Sequence, residues 1–186
     1  MRNLKFVRAL MFFVAVAGAG IAGAAEQHQV VNVAGIQSYG LAGEAGNTAL
    51  DLNLGALAQV TSIAWNYDIT AYDPSWLSDM RVSFMSSGGD GVVFYASGIS
   101  APGSEHEQGS VDLSGMGLAF KVGADGKLHL EFSETFKDLA PGQADGQWDA
   151  GSFTVGYVSA VPEPATYAMM TLGLLAVGAA ARRRQR

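Results

Sequence analysis

The sequence predicts an all-β protein: an antiparallel β-sandwich flanked by an N-terminal signal peptide and a single C-terminal transmembrane helix. Three observations predict it. Apolar residues alternate with polar ones at period two through the middle of the chain. Turns rich in Gly, Pro and Asp separate these runs, with no long helical pattern between them. Uncharged apolar stretches stand at the two ends, each beside a cluster of basic residues. The chain divides accordingly into residues 1–25, 26–160 and 161–186.

The N-terminal segment opens with Arg2, Lys5 and Arg8 and no acidic residue. Ala9 to Gly20 is then an unbroken run of apolar and small residues, followed by Ala22-Gly23-Ala24-Ala25-Glu26. A basic head, an apolar middle and an Ala-x-Ala exit make a secretory signal peptide, with cleavage expected after Ala24 or Ala25. An uncleaved membrane helix is the competing reading. The apolar run is short for the roughly 20 residues that a bilayer span needs. The export translocon and signal peptidase are the partners this implies, and the mature chain lies outside the cytoplasm.

In the body, Ile63, Trp65, Tyr67 and Ile69 alternate with Ala64, Asn66, Asp68 and Thr70. The same pattern recurs at Met80/Val82/Phe84, Val92/Phe94/Ala96, Leu118/Phe120/Val122, Leu128/Leu130/Phe132 and Phe153/Val155/Tyr157. Gly88-Gly89-Asp90-Gly91, Ala101-Pro102-Gly103, Gly123-Ala124-Asp125-Gly126 and Pro141-Gly142 supply the turns. The step Ala124-Asp125-Gly126-Lys127, between Phe120/Val122 and Leu128/Leu130, predicts a tight hairpin. The polar stretch from Ser97 to Ser110 predicts a solvated loop. A body of this size buries roughly two-thirds of its unfolded surface, enough for a core without disulfides.

The C-terminus has three parts in order. Val161-Pro162-Glu163-Pro164 comes first, then Ala165 to Ala181 without a charge, then Arg182, Arg183, Arg184 and Arg186. Those 17 uncharged residues reach about 25 Å as a helix, close to the ~30 Å hydrocarbon core of a bilayer. The arginines stay on the cytoplasmic side. The prolines hold an extended segment at the outer face. Together the three parts resemble the PEP-CTERM sorting signal of Gram-negative bacteria. The resemblance implies recognition by an exosortase, a membrane-embedded transpeptidase-like enzyme that processes the chain near the motif. Release from the inner membrane to the cell surface or an exopolysaccharide matrix would follow. Val161, Pro162, Glu163 and Pro164 are then substrate residues. An ordinary tail anchor with a proline-rich stalk is the competing reading.

A second resemblance concerns the body. The segments Trp76 to Phe84, Phe132 to Asp138, Ala144 to Trp148 and Gly151 to Val155 resemble the jelly-roll accessory domains of proprotein-convertase P-domain type. That implies a jelly-roll-like sandwich and an accessory or binding role.

Composition narrows the function. The net charge is −6, but the body alone holds 16 acidic residues against Arg81, Lys121, Lys127 and Lys137. Nucleic-acid affinity comes largely from basic residues displacing counterions, so an acidic body excludes it. With no cysteine, disulfides, thiol nucleophiles, thiolate metal sites and a lipoprotein anchor are excluded too. His28 falls at the mature N-terminus, frayed or in a first strand, and His129 on a solvent face. His106 stands between Glu105 and Glu107, which point away from it in extended chain, so no zinc site is expected. Gly88 to Gly91 matches a fragment of calcium-binding repeats once, and such repeats act by stacking. The loop carboxylates Asp73, Asp79, Asp138, Asp145 and Asp149 read as unpaired and leave Ca²⁺ open. No contiguous segment supplies the six to eight or so oxygens it takes, so the expectation is no cofactor. There is no Gly-x-Ser-x-Gly elbow.

Trp65, Tyr67, Tyr72, Trp76, Tyr95 and Trp148 are candidate stacking faces for sugar rings. Trp65 and Tyr67 read as core. Trp76, after Pro74 at a loop edge, is the best carbohydrate contact, with core packing as the stronger expectation. The function expected is that of a non-enzymatic surface or extracellular-matrix protein, associated with exopolysaccharide or matrix proteins in a biofilm. The alternative is an exported polysaccharide-active hydrolase or lyase, which needs two convergent carboxylates roughly 5–10 Å apart.

Overall fold

The computed structural model describes residues 25–160, 172–178 and 181–182. Its strands are β1 (Glu26–Asn32), β2 (Ile36–Ser38), β3 (Thr48–Asn53), β4 (Gln59–Ala71), β5 (Met80–Ser86), β6 (Gly91–Tyr95), β7 (Gly103–Asp112), β8 (Phe120–Lys121), β9 (Lys127–Glu134) and β10 (Gly146–Val158). They form two antiparallel sheets, ordered β1-β10-β4-β7 and β3-β9-β5-β6, with β2 on β10 and β8 on β4. The pairing is nested. The first strand pairs the last, β3 pairs β9, β4 pairs β7, and β5 pairs β6 as the innermost hairpin. Contacts β10–β4 and β5–β9 roll this ribbon up. That is a jelly roll, two Greek keys wrapped into a sandwich.

One-sided burial selects these strands. β5 reads buried at Met80, Val82, Phe84 and Ser86 and half-buried between. β9 offers Leu128, Leu130 and Phe132 to the same space. From the other sheet come Ile63, Tyr67 and Ile69 of β4, with Trp148, Phe153 and Val155 of β10. The centre is aromatic: Tyr67 meets Trp148 at 4.6 Å between ring centroids, and Phe84 meets Phe153 at 5.3 Å. Such pairs add about 0.5–1.5 kcal/mol beyond area burial. The Tyr67 hydroxyl donates to the Ala96 carbonyl at 2.8 Å. Burial pushes its pKa up, with Glu107 and Glu105 adding to the effect.

Trp148 and Phe153 are five positions apart, a spacing that sends two side chains to opposite faces of a regular strand. A bulge resolves this. Trp148 pairs Ile69 and Ala150 pairs Asp68, so Asp149 has no opposite number and the alternation resets. Gly151 (φ +98°) completes the turn of the backbone, and a Cβ there would stand 2.1 Å from the Asn66 carbonyl oxygen.

Three expectations are corrected. Ser97 to Ser110 is not a loop throughout, because β7 runs from Gly103 to Asp112 and pairs β4 along its whole length. Its inward positions include Glu105 and Glu107 at the sandwich margin, so the apolar alternation that marks a strand is missing. The Gly123–Gly126 turn does not close a hairpin. β8 pairs β4 and β9 pairs β3 and β5, so the turn carries the chain from one sheet to the other. It is held by Gly126 N–H to the Gly123 carbonyl and Leu54 N–H to the Gly126 carbonyl, at 3.0 and 2.9 Å. Trp148 is fully buried and presents no stacking face.

Residues 172–178 are helical. Among the described residues, no helix is long and apolar enough to cross a membrane. The signal segment through Ala24, the motif Val161 to Pro164, most of the apolar stretch, and Arg183, Arg184 and Arg186 lie outside the described residues.

Candidate ligand groove and sorting tail

The sandwich has two distinct ends. One gathers Glu26, Gln59, Gly91, Lys127 and Val158, where β10 finishes. The other gathers Ala71, Met80, Tyr95, Glu134 and Gly146, where β10 begins. The 13 residues of β10 separate them by roughly 40 Å.

A groove of about 360 Å³ lies at the second end, lined by Trp76, Asp79, Phe136 and Asp138. Trp76 sits on the connection from β4 to β5 and is 46% exposed, against the expectation of core packing. The neighbouring Leu77 takes the buried position instead. Its N–H donates to the Ala101 carbonyl at 3.0 Å, and the Ser78 N–H donates to that of Ile99 at 2.9 Å. With Leu77 anchored, the indole turns outward. Phe136, 62% exposed, follows the end of β9. Thr135 clasps the two segments: its hydroxyl donates to the Asp79 carboxylate at 2.6 Å and its N–H to the Asp79 carbonyl at 2.8 Å.

The Asp138 side is fixed by a buried charge. Asp145 is fully buried, accepts from Lys137 Nζ, and takes the N–H groups of Asp138 and Leu139 at 2.8 and 3.2 Å. It is therefore paired, contrary to its reading as a free loop carboxylate. Beside it lies Glu134, also fully buried. Its Oε1 accepts from the Ser38 hydroxyl and its Oε2 has no partner among the described residues. Burial pushes this carboxyl up to about 8; the Ser38 hydrogen bond opposes the rise, and the negative charge of Asp145 adds to it. At neutral pH Glu134 is largely a neutral acid.

Two outward aromatic faces with two carboxylate acceptors can stack on a sugar ring and receive hydrogen bonds from its hydroxyls. Phe136 escaped sequence reasoning because it falls outside the alternating runs. Only the β5–β9 pairing brings it to Trp76. The other sequence candidates separate. His106, on β7, meets Asp68 at 2.8 Å, and His129 meets Asp51 at 2.6 Å, both on exposed faces. His28 lies exposed on β1. Lys127 shares Asp51 with His129, and the two hydrogen bonds hold that carboxyl below its ordinary value. Among the described residues no group of three or more His, Asp or Glu converges as metal ligands. Tyr95 is 55% exposed but lies on β6, apart from the groove's lining residues.

The end of β10 leads straight into the tail, since residue 160 follows Val158 by two positions. Residues 160–184 match the PEP-CTERM protein-sorting motif. The PEP-CTERM tail implies an exported chain, transiently anchored in a membrane and processed by an exosortase. No curated protein matches this sequence. Among solved structures, the infectious bursal disease virus Gx strain is similar at 10% identity and TM-score 0.37, over 81% of this chain and 36% of that one. The VP2 subviral particle of infectious bursal disease virus is similar at 9% identity and TM-score 0.32, over 78% of this chain and 37% of that one. The chain thus spans little more than a third of the length of those chains.

Proposed function

We propose that this is a non-enzymatic surface or extracellular-matrix protein. It is exported through a signal peptide cleaved after Ala24 or Ala25, held briefly by its PEP-CTERM tail, and released into an exopolysaccharide matrix. The observation that carries the reading is the motif at residues 160–184, joined directly to the last strand of the sandwich. The role calls for no cofactor. The body's contact with the matrix is assigned to Trp76 and Phe136, with Asp79 and Asp138 as acceptors for sugar hydroxyls. Two carboxylates at the rim favour neutral or amino sugars over uronic acids, whose own charge they would repel.

The placement of Asp79 and Asp138 on one groove is also the feature that favours the alternative, an exported hydrolase or lyase. One experiment separates the two. The secreted protein is incubated with exopolysaccharide from its own host, and both retention and chain length are followed. Retention that is lost in Trp76→Ala, with chain length unchanged, supports the binding role. Shortening that stops in Asp79→Asn or Asp138→Asn supports the enzyme.

A further inference from the structure

The main paths of the sheets end in β1 and β7 in one and β3 and β6 in the other; the short β2 and β8 share the margins of the first sheet, and the Gln37 carbonyl of β2 is covered by the Thr48 hydroxyl. Edge strands carry unpaired backbone groups that invite another chain, and proteins usually guard them with charge. β1 has Glu26, β3 has Asp51, and β7 has Glu105, Glu107 and Asp112. β6, Gly-Val-Val-Phe-Tyr, has none, and no charged residue occurs from Gly91 to Ser104. Val93 and Tyr95 are 47% and 55% exposed. An apolar groove of about 280 Å³ runs beside this edge, with Val93, Met116 and Leu118 in its lining.

The hydrogen-bond phase of β6 is defined. Ser86 N–H donates to the Asp90 carbonyl and Ala96 N–H to the Met80 carbonyl, bracketing a ladder in which Val92 pairs Phe84 and Phe94 pairs Val82. Bonded and non-bonded positions alternate in an antiparallel pair. Val92 and Phe94 therefore direct their backbone groups to β5, whereas Gly91, Val93 and Tyr95 direct theirs outward.

We propose that β6 is the surface on which a second copy of this chain pairs, antiparallel, about a two-fold axis through Val93. In that register the outward groups of Gly91, Val93 and Tyr95 meet those of Tyr95, Val93 and Gly91 of the second copy. The Tyr95 ring lies over the second copy's glycine, and Val92 stands opposite Phe94. The contact is self-complementary, as a two-fold interface requires. Pairing β6 with itself sets no like charges opposite each other along the strand. Two strongly acidic bodies repel each other, and an edge without charge is where they meet at least cost. A charged peptide would find nothing there to pair with.

Strand direction adds a consequence. Gly91 lies at the end that carries the sorting tail and Tyr95 at the groove end. Antiparallel pairing therefore sends the two tails in opposite directions. Copies anchored in one membrane face cannot adopt it, so release precedes pairing. This surface is independent of what the Trp76 groove binds.

The chain has no cysteine, so an introduced one reports alone. Opposed Cα atoms at a bonded antiparallel position lie about 5.5 Å apart, within disulfide reach. The full chain in detergent micelles, carrying Val93→Cys and oxidised, should form a disulfide dimer at least about ten-fold more than Val30→Cys on the β1 edge. Unmodified chain should have twice the mass of Val93→Lys by light scattering. In liposomes with all tails inserted the same way, the Val93→Cys dimer should be lost. Equal cross-linking of the two cysteine variants, or a monomeric unmodified chain, overturns the β6 interface. A persistent dimer in those liposomes overturns the requirement for release.

Discussion

Glu26 lies opposite Val158 in the antiparallel pair of β1 and β10, so the first strand of the body and its last strand finish side by side. The Glu26 carboxylate is held there by the Thr61 and Ser62 hydroxyls at 2.6 and 3.0 Å, which lower its pKa. The sorting tail leaves from this end. The Trp76 groove stands at the opposite end of the sandwich.

Phe153→Ala should destabilise the body by about 3–5 kcal/mol, because the ring is fully buried against Tyr67, Phe84 and Trp148. Urea denaturation followed by tryptophan fluorescence measures it. A loss below about 0.5 kcal/mol, within the range of surface substitutions, contradicts the packing described.

Stability should fall as pH rises from about 4.5 to about 8. Glu134 has its folded pKa raised from 4.5 to about 8, so the folded state binds the proton more tightly than the unfolded one. Its contribution is complete below the unfolded value and is lost as pH passes the folded one, at about 1.4 kcal/mol per unit of pKa difference. Glu134→Gln mimics the neutral acid and should flatten this slope. Midpoints of urea unfolding at pH 5 and pH 8 decide it, and an equal slope in both proteins contradicts the assignment.

Trp76→Ala and Phe136→Ala should each abolish retention on a neutral polysaccharide while changing stability by no more than about 0.5 kcal/mol, as exposed residues do. Affinity electrophoresis beside a denaturation curve reads both. Retention unaffected in both variants removes the groove from the binding role.

Much of this architecture is legible in the sequence where a strand has one dry face. Ile63/Tyr67/Ile69, Met80/Val82/Phe84 and Leu128/Leu130/Phe132 announce β4, β5 and β9, since alternation follows from burying one side. β7 stays hidden because Glu105 and Glu107 occupy its inward positions at the margin, where no dry face exists. Trp148 is misread because the bulge at Asp149 shifts its face, and a bulge leaves no mark in the hydrophobic pattern. The groove is half visible. Trp76 stands out beside a proline, but Phe136 joins it only through long-range pairing, and the burial of Glu134 and Asp145 cannot be read from a polar stretch. The tail needs no tertiary context, so its chemistry is legible in order along the chain.

The most direct test of sorting by the tail is fractionation in the native host of three forms: the unmodified chain, a variant with Pro162, Glu163 and Pro164 replaced by Ala, and a deletion of Ala165 to Arg186. The unmodified chain should reach the surface or medium. The Ala variant should accumulate in the membrane fraction, because its apolar stretch and arginines still insert while the processing segment is gone. The deletion should leave the body in the periplasm, unsorted. An identical distribution of all three forms contradicts the account.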